Sequence, residues 1–449
     1  MKNYVSRPAL LLLIVVAVLF VLRFIPSFTV LGYEVKQVDP ISDLLGGDDF
    51  GQDVGDLGLL PQAEKVKEFK CPDGVVCIEN FGECGAGCMT HFYKSLSRKD
   101  SLGRPVRIAY FGDSFIEGDI LTADLREMLQ QKFGGYGVGY LSIAPEAPGF
   151  RKSVSQYFAG WEPHQAIDEE GFVESKQSIA QTYALPKGYS YTDIRAANLY
   201  PHSSQFETST FYLVSSYPVT LNVVKNDSIK ENLKSKGTGK VEAITTSGNM
   251  KHIRWGTSGA NGVVCHGVAI EGKLGITLDN FALRSTSGVH LLTLSIEYLK
   301  ALADVRPYDL IILHYGLNVA GKNTKNYDGY VSQMTKVIEK FKVAFPNASI
   351  LITSVGDREN RINGELHTIP GALALIQYQQ QLAAINKIGF WNLYEGMGGD
   401  GSIVKLSEKK PAEARKDYTH ITHEGGKSLA KPFYEAIIAG FDEYKTMNN

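Results

Sequence analysis

Val106-Arg107-Ile108-Ala109-Tyr110-Phe111-Gly112-Asp113-Ser114-Phe115 is the stretch on which the fold turns. Its apolar run from Val106 to Phe111 has the length of a buried strand, and Gly112 breaks it. Leu121 to Phe133 follows with apolar residues at helical spacing, at Leu121, Leu125, Met128 and Leu129. A strand, a tight turn and a helix in that order form an α/β unit. Ser114 then stands at the carboxyl edge of a parallel sheet, where α/β sites form. On such a turn the hydroxyl is exposed, and the serine's own N–H can face a substrate oxyanion, as acyl transfer requires. Gly-Asp-Ser is short enough to arise by chance, and the plain alternative is an ordinary turn serine.

Outward from this stretch, the pattern changes at about Phe150. Up to about Gly275 it consists of short alternating runs, such as Phe211 and Leu213 or Val219, Leu221 and Val223. Turn residues separate them, at Asn226-Asp227 and Gly237-Thr238-Gly239. Residues 151–275 therefore read as an all-β module. The α/β pattern then resumes: a strand at Leu310 to Leu313, a helix from Tyr327 to Val343, a strand at Ile350 to Thr353, another near Phe390 to Leu393, and a closing helix after Glu424. The expectation is one α/β domain in two parts, 104–150 and 276–449, interrupted by the β module. No internal repeat or low-complexity tract is present.

Two further segments carry chemistry. In Asp417-Tyr418-Thr419-His420, a carboxylate three residues ahead of an imidazole can accept the Nδ1 hydrogen and stabilise the imidazolium that forms when Nε2 takes a serine proton. In Tyr315-Gly316-Leu317-Asn318, directly after a strand, the Asn318 amide could donate to a tetrahedral oxyanion; turn geometry is the rival explanation. His423 reads as a surface residue of the first helical turn.

The order Ser114, Asn318, Asp417, His420, each beside a strand end, resembles the SGNH (GDSL-type) hydrolase superfamily. Gly112-Asp113-Ser114-Phe115-Ile116-Glu117-Gly118-Asp119 and His420-Ile421-Thr422-His423-Glu424-Gly425-Gly426 are similar to its blocks. The resemblance implies a three-layer parallel sheet, with Ser114, Asp417 and His420 as catalytic groups and an oxyanion hole formed by Ser114, Ser285 and Asn318. The interrupting β module, jelly-roll-like by this resemblance, makes the chain similar to bacterial peptidoglycan O-acetylesterases, as do Phe133 to Tyr140 and Phe390 to Tyr394. Two positions depart from the pattern: Ser285 stands where the family has its oxyanion glycine, with Gly288 three residues later, and Val319 replaces the acidic residue that commonly follows the asparagine. A backbone N–H survives a Gly to Ser change, but a side chain restricts φ and can crowd substrate.

The implied reaction is removal of O-acetyl groups from an envelope polysaccharide, peptidoglycan foremost, with an acetylated glycan as partner and no metal or organic cofactor. The rivals are an O-acetyltransferase sharing the acyl-enzyme and a non-catalytic glycan-binding scaffold. Tyr212, Tyr217 and Trp255 are candidates to stack on a sugar, core packing being the commoner role of any one such aromatic.

At 449 residues, 44% hydrophobic and 21% charged, the chain can build large cores. With 46 Lys and Arg against 48 Asp and Glu, it has no overall positive field to collect nucleic acid. Lys2 and Arg7 precede an apolar run from Ala9 to Leu22, which marks export; with no small-x-small cleavage site over Arg23 to Gly32, residues 1–32 read as an uncleaved inner-membrane anchor rather than a signal peptide. Phe24, Ile25 and Phe28 would extend the span. The implied location is periplasmic. Residues 33–103 read as a spacer followed by a Cys-rich segment, where Cys71, Cys77, Cys84 and Cys88 suit two local disulfides of open pairing rather than zinc. Cys265 reads as a buried small hydrophobe.

Overall fold

The computed structural model describes residues 28–30, 33–35, 71–82, 87–168, 170–258, 262–362 and 364–448. The anchor run Ala9 to Leu22 and Cys84 lie outside the described residues. In the amino-terminal unit, β1 (Phe28–Val30) pairs antiparallel with β2 (Tyr33–Val35). Phe28, expected to lengthen a membrane helix, thus lies in a strand. No described helix is long and apolar enough to cross a membrane.

The second unit, from Leu59 onward, holds two large sheets, of nine and six strands, and a small two-stranded one. Its elements in chain order are β3 (Glu79–Asn80), α1 (Met89–Ser97), β4 (Val106–Gly112), α2 (Thr122–Phe133) and β5 (Gly139–Ser142). There follow β6 (Val154–Gln165), β7 (Thr182–Ala196), β8 (Phe206–Val214), β9 (Thr220–Lys225), β10 (Ile229–Lys234), β11 (Val241–Met250), β12 (His252–Ser258) and β13 (Val264–Glu271). The chain continues through β14 (Ile276–Ala282), α3 (Ile296–Val305), β15 (Leu310–His314), α4 (Asp328–Ala344), β16 (Ser349–Thr353), β17 (Glu359–Ile362) and β18 (Glu365–Thr368). It ends with α5 (Pro370–Ile385), β19 (Gly389–Trp391), α6 (Leu393–Met397), α7 (Ser402–Glu408) and α8 (His423–Asn448).

The six-stranded sheet runs β14-β4-β15-β16-β19-β3, parallel except for β3 at its edge. Its helices cover both faces: α1, α2 and α8 pack together, and α3, α4 and α5 form the other group. Every residue of β4, β15 and β16 is buried, so each reads as a mostly apolar run rather than an alternating one. The strand expected at Phe390 to Leu393 ends earlier, at Trp391, because Asn392 caps α6 by accepting the Glu395 N–H at 3.3 Å.

Part of the stretch expected to be Cys-rich enters the six-stranded sheet. β3 completes the edge, and α1 buries Met89, Phe92, Tyr93 and Leu96, one face at helical spacing. Cys71 and Cys77 form a disulfide, and Cys88 is buried.

The second sheet has nine strands in antiparallel pairings, with a core that includes Leu141, Phe211, Trp255 and Val268. It takes in β5, which pairs with β13, so the β module begins inside the stretch read as 104–150. Trp255 and Tyr212 are 0% and 2% exposed, which removes both as sugar-stacking candidates; Tyr217 stays 36% exposed. Cys265 is buried in this core, which pushes its thiol pKa up.

A buried ion network joins the two sheets. Glu271, ending β13, accepts from Arg107 of β4 at 2.7 and 3.1 Å and from Arg306 at 3.2 and 3.3 Å. Arg306, 0% exposed, also grips Asp279 of β14 through two 2.8 Å bonds and donates to Tyr212 at 3.0 Å. Because these charges are buried, each depends on the others for compensation.

Candidate active site

Parallel register sets the three loops side by side. Gly112 of β4 is level with Ala282 of β14 and with His314 of β15, so Ser114, Ser285 and Asn318 follow neighbouring strands at the same carboxyl edge. Asp417 and His420 arrive there from the loop before α8. Gly425 and Gly426 let that helix come close, since a Cβ at either would collide with the backbone of Glu413 or Ile120.

Ser114 Oγ lies 3.2 Å from His420 Nε2, and His420 Nδ1 lies 2.9 Å from Asp417 Oδ2. The other carboxylate oxygen, Oδ1, accepts the N–H groups of Thr419 and His420, both at 3.0 Å. A left-handed Tyr418 (φ 52°) curls the chain so that both N–H groups turn back on Asp417. Partial burial alone would raise the Asp417 pKa; the hydrogen bonds from His420 and Thr419 outweigh it and hold the carboxyl below its ordinary value. Nδ1 therefore carries the hydrogen and Nε2 is the free base facing Ser114. The pair is open to solvent, with the His420 and Asp417 side chains 38% and 46% exposed.

Three donors border this line. Among the described residues no protein acceptor takes the Ser114 or Ser285 N–H. Asn318 donates one amide hydrogen to the Thr286 carbonyl at 3.1 Å, which ties its loop to the Ser285 loop and leaves the second hydrogen unspent. Ser285 adopts φ 61°, a left-handed conformation that glycine adopts freely, and its side chain is exposed. The substitution thus keeps the backbone donor and places the serine side chain at the surface.

Asp113 does more than complete a motif. It is 1% exposed; its Oδ1 accepts the Phe115 N–H at 3.0 Å and its Oδ2 the Leu317 N–H at 3.3 Å, fastening the Ser114 turn to the Asn318 loop. Burial pushes its pKa up to about 6, against the N–H groups of Phe115, Leu317 and Gly316. Sequence inspection overlooked this role because the partners lie 204 residues apart. Arg358 was also overlooked: its Nη1 donates to the carbonyls of Leu317 and Ala320 at 3.1 and 3.0 Å, bracing the Asn318 loop from the other side. No group of three or more His, Cys, Asp or Glu among the described residues could hold a metal ion.

A cavity of about 450 Å³ opens beside the Ser114 turn, between the two sheets. Glu117, Phe150 and Arg284 line one side, and Phe158, His164 and Tyr183 the other. Arg284 and Glu117 form a two-pronged ion pair at 2.6 and 2.9 Å.

No protein-family model matches the chain, and no curated protein does. Solved structures do. A peptidoglycan O-acetylesterase superposes with a TM-score of 0.66 over 82% of this chain and 99% of that one, at 19% identity. The chain shares the fold of that structure. That superposition spans nearly the whole of the other structure. A family two carbohydrate esterase from Cellvibrio japonicus (TM-score 0.25, 9% identity, 64% and 99% of the two chains) fits far more loosely. So does a salicylyl-acyltransferase from a tetracycline biosynthetic pathway (0.30, 12%, 67% and 97%).

Proposed function

We propose that the chain is a serine esterase that removes O-acetyl groups from an envelope polysaccharide, peptidoglycan foremost. The observation that carries the reading is the unbroken line from Ser114 Oγ through the His420 ring to the Asp417 carboxylate. His420 Nε2 takes the Ser114 proton as Oγ attacks the acetyl carbonyl. The oxyanion is received by the N–H groups of Ser114 and Ser285 and by the spare Asn318 amide hydrogen. His420 then gives its proton to the departing sugar oxygen, leaving acetyl-Ser114. A water deprotonated by the same ring attacks the acetyl carbon, and acetate leaves as Ser114 regains its proton.

Two observations favour a glycan over a small ester. A cavity of ligand size with aromatic and polar walls lies between the two sheets and is lined by Glu117 and Gly118, which follow Ser114 in the chain, and by none of the three triad residues. A solved structure that superposes on most of the chain is a peptidoglycan O-acetylesterase. In this reading the apolar run Ala9 to Leu22 tethers the enzyme to the inner membrane with its site on the periplasmic side. Mass spectrometry of acetate released from purified peptidoglycan by wild type and by Ser114→Ala tests the proposal. Release by wild type alone is expected; equal release by both overturns it.

A further inference from the structure

A second, largely polar pocket of about 180 Å³ borders Asp417 of the triad and is lined by Lys322, Arg358, Glu359, Asn360, Ile369 and Thr419 as well. It shares Asp417 with the His420 pair, and Arg358 touches the loop that carries Asn318. Its cations lack counter-ions. Arg358 is half-buried, yet only Nη1 is engaged, with two carbonyls, and no carboxylate among the described residues lies within ion-pair distance. Nε and Nη2 remain as unspent donors, the geometry that grips a carboxylate in two places. Lys322 is exposed and also makes no ion pair among the described residues.

The two carboxylates in the pocket do not answer this charge. Asp417 is committed to His420 and two backbone N–H groups. Glu359 is 6% exposed; burial, followed by its neighbours Asp357 and Asp400, raises its pKa and disfavours its ionised form, and its Oε2 has no hydrogen-bond partner. The free Arg358 nitrogens keep solvent contact, and a ligand carboxylate would replace that water with two charge-assisted hydrogen bonds.

We propose that Arg358 and Lys322 form a subsite for a carboxylate of the substrate, so that the enzyme selects acetyl esters on anionic glycans over neutral ones. The inference rests on the esterase reading above. In peptidoglycan the carboxylate could be that of the lactyl ether on the muramic acid ring or that of an attached peptide. A neutral acetylated glycan offers neither.

Three esters with the same acetylated hydroxyl decide the matter: 6-O-acetyl-N-acetylmuramic acid, its lactyl carboxamide, and the corresponding muramoyl-alanine. Wild type should hydrolyse one of the two acids with kcat/KM about 10-fold to 100-fold above the carboxamide, the gain falling in KM, as expected for hydrogen bonds to a charged group. The lactyl source predicts preference for the first acid, the peptide source for the third compound. Lys322→Gln and Arg358→Lys should each lower that ratio about tenfold. Equal kcat/KM for all three esters in wild type overturns the subsite. So does an Arg358→Lys enzyme that loses kcat on every ester at an unchanged ratio, which would make Arg358 a brace for Asn318 alone. A wild type that hydrolyses none of the three overturns the esterase reading instead.

Discussion

Asp417→Asn isolates what the carboxylate does for His420. Oδ1 of Asp417 accepts two backbone N–H groups, from Thr419 and His420, while Oδ2 alone faces the ring at 2.9 Å. An asparagine must keep its oxygen where two donors already point, so its NH₂ occupies the Oδ2 place. That NH₂ requires an acceptor at Nδ1, which moves the ring hydrogen to Nε2 and turns it toward Ser114. The ring then cannot take the serine proton. Loss of the correct tautomer costs roughly 10⁴-fold in kcat, or about 5.5 kcal/mol of barrier. The fold should hardly notice, because Asp417 is a half-exposed loop residue whose two backbone bonds survive. Stopped assays with 4-nitrophenyl acetate, beside urea unfolding of both proteins, measure the two effects. An Asp417→Asn enzyme within tenfold of wild type would refute the tautomer argument, as would a loss of activity that tracks a loss of stability.

Other perturbations have equally definite outcomes. Ser285→Gly should keep kcat within threefold or raise it, since the N–H remains, and should change stability by no more than about 1 kcal/mol as left-handed strain is exchanged for unfolded-chain entropy; a tenfold fall in kcat with 4-nitrophenyl acetate would show that the hydroxyl itself is needed. Asp113→Asn puts an NH₂ against one of the N–H groups that both carboxylate oxygens now accept. It should cost about 1–3 kcal/mol in urea unfolding and, by loosening the Asn318 loop, about 10²-fold in kcat. Glu271 bears on acid stability: burial alone would raise its pKa, but Arg107 and Arg306 hold it near 2 against an ordinary 4.5. A depressed folded-state pKa gives stability that is complete above the unfolded value and lost as pH falls from about 4.5 through about 2. Wild type should therefore exceed Glu271→Gln by about 3 kcal/mol at pH 6, with the gap closing towards pH 2; a gap that stays constant down to pH 3 would contradict this.

What could be read from the sequence was local. Central parallel strands are buried on both faces, so β4, β15 and β16 announce themselves as apolar runs, and the residues just beyond them are at the sheet's carboxyl edge whatever the rest of the chain does. Asp417 and His420 were legible for the same reason, three residues apart on one turn. Long-range pairings were not. β3 and β5 are two and four residues long, too short to carry a pattern, and each is a strand only because β19 or β13 offers it an edge. Asp113 and Arg358 look like ordinary loop charges until the Asn318 loop arrives to accept or donate. Tyr212 and Trp255 show the converse: composition allows an aromatic to be a sugar platform or a core residue, and only the packing decides.

The central claim is that Ser114 carries the acetyl group between glycan and water. Rapid acid quench of enzyme mixed with an acetyl ester, followed by proteolysis and mass spectrometry, reads this directly. The account predicts an acetyl adduct on the peptide containing Ser114 within the first turnover, absent from Ser114→Ala and strongly reduced in His420→Ala, which lacks the base that activates Ser114. Steady acetate release with Ser114 unmodified at every quench time, and undiminished in Ser114→Ala, would contradict it.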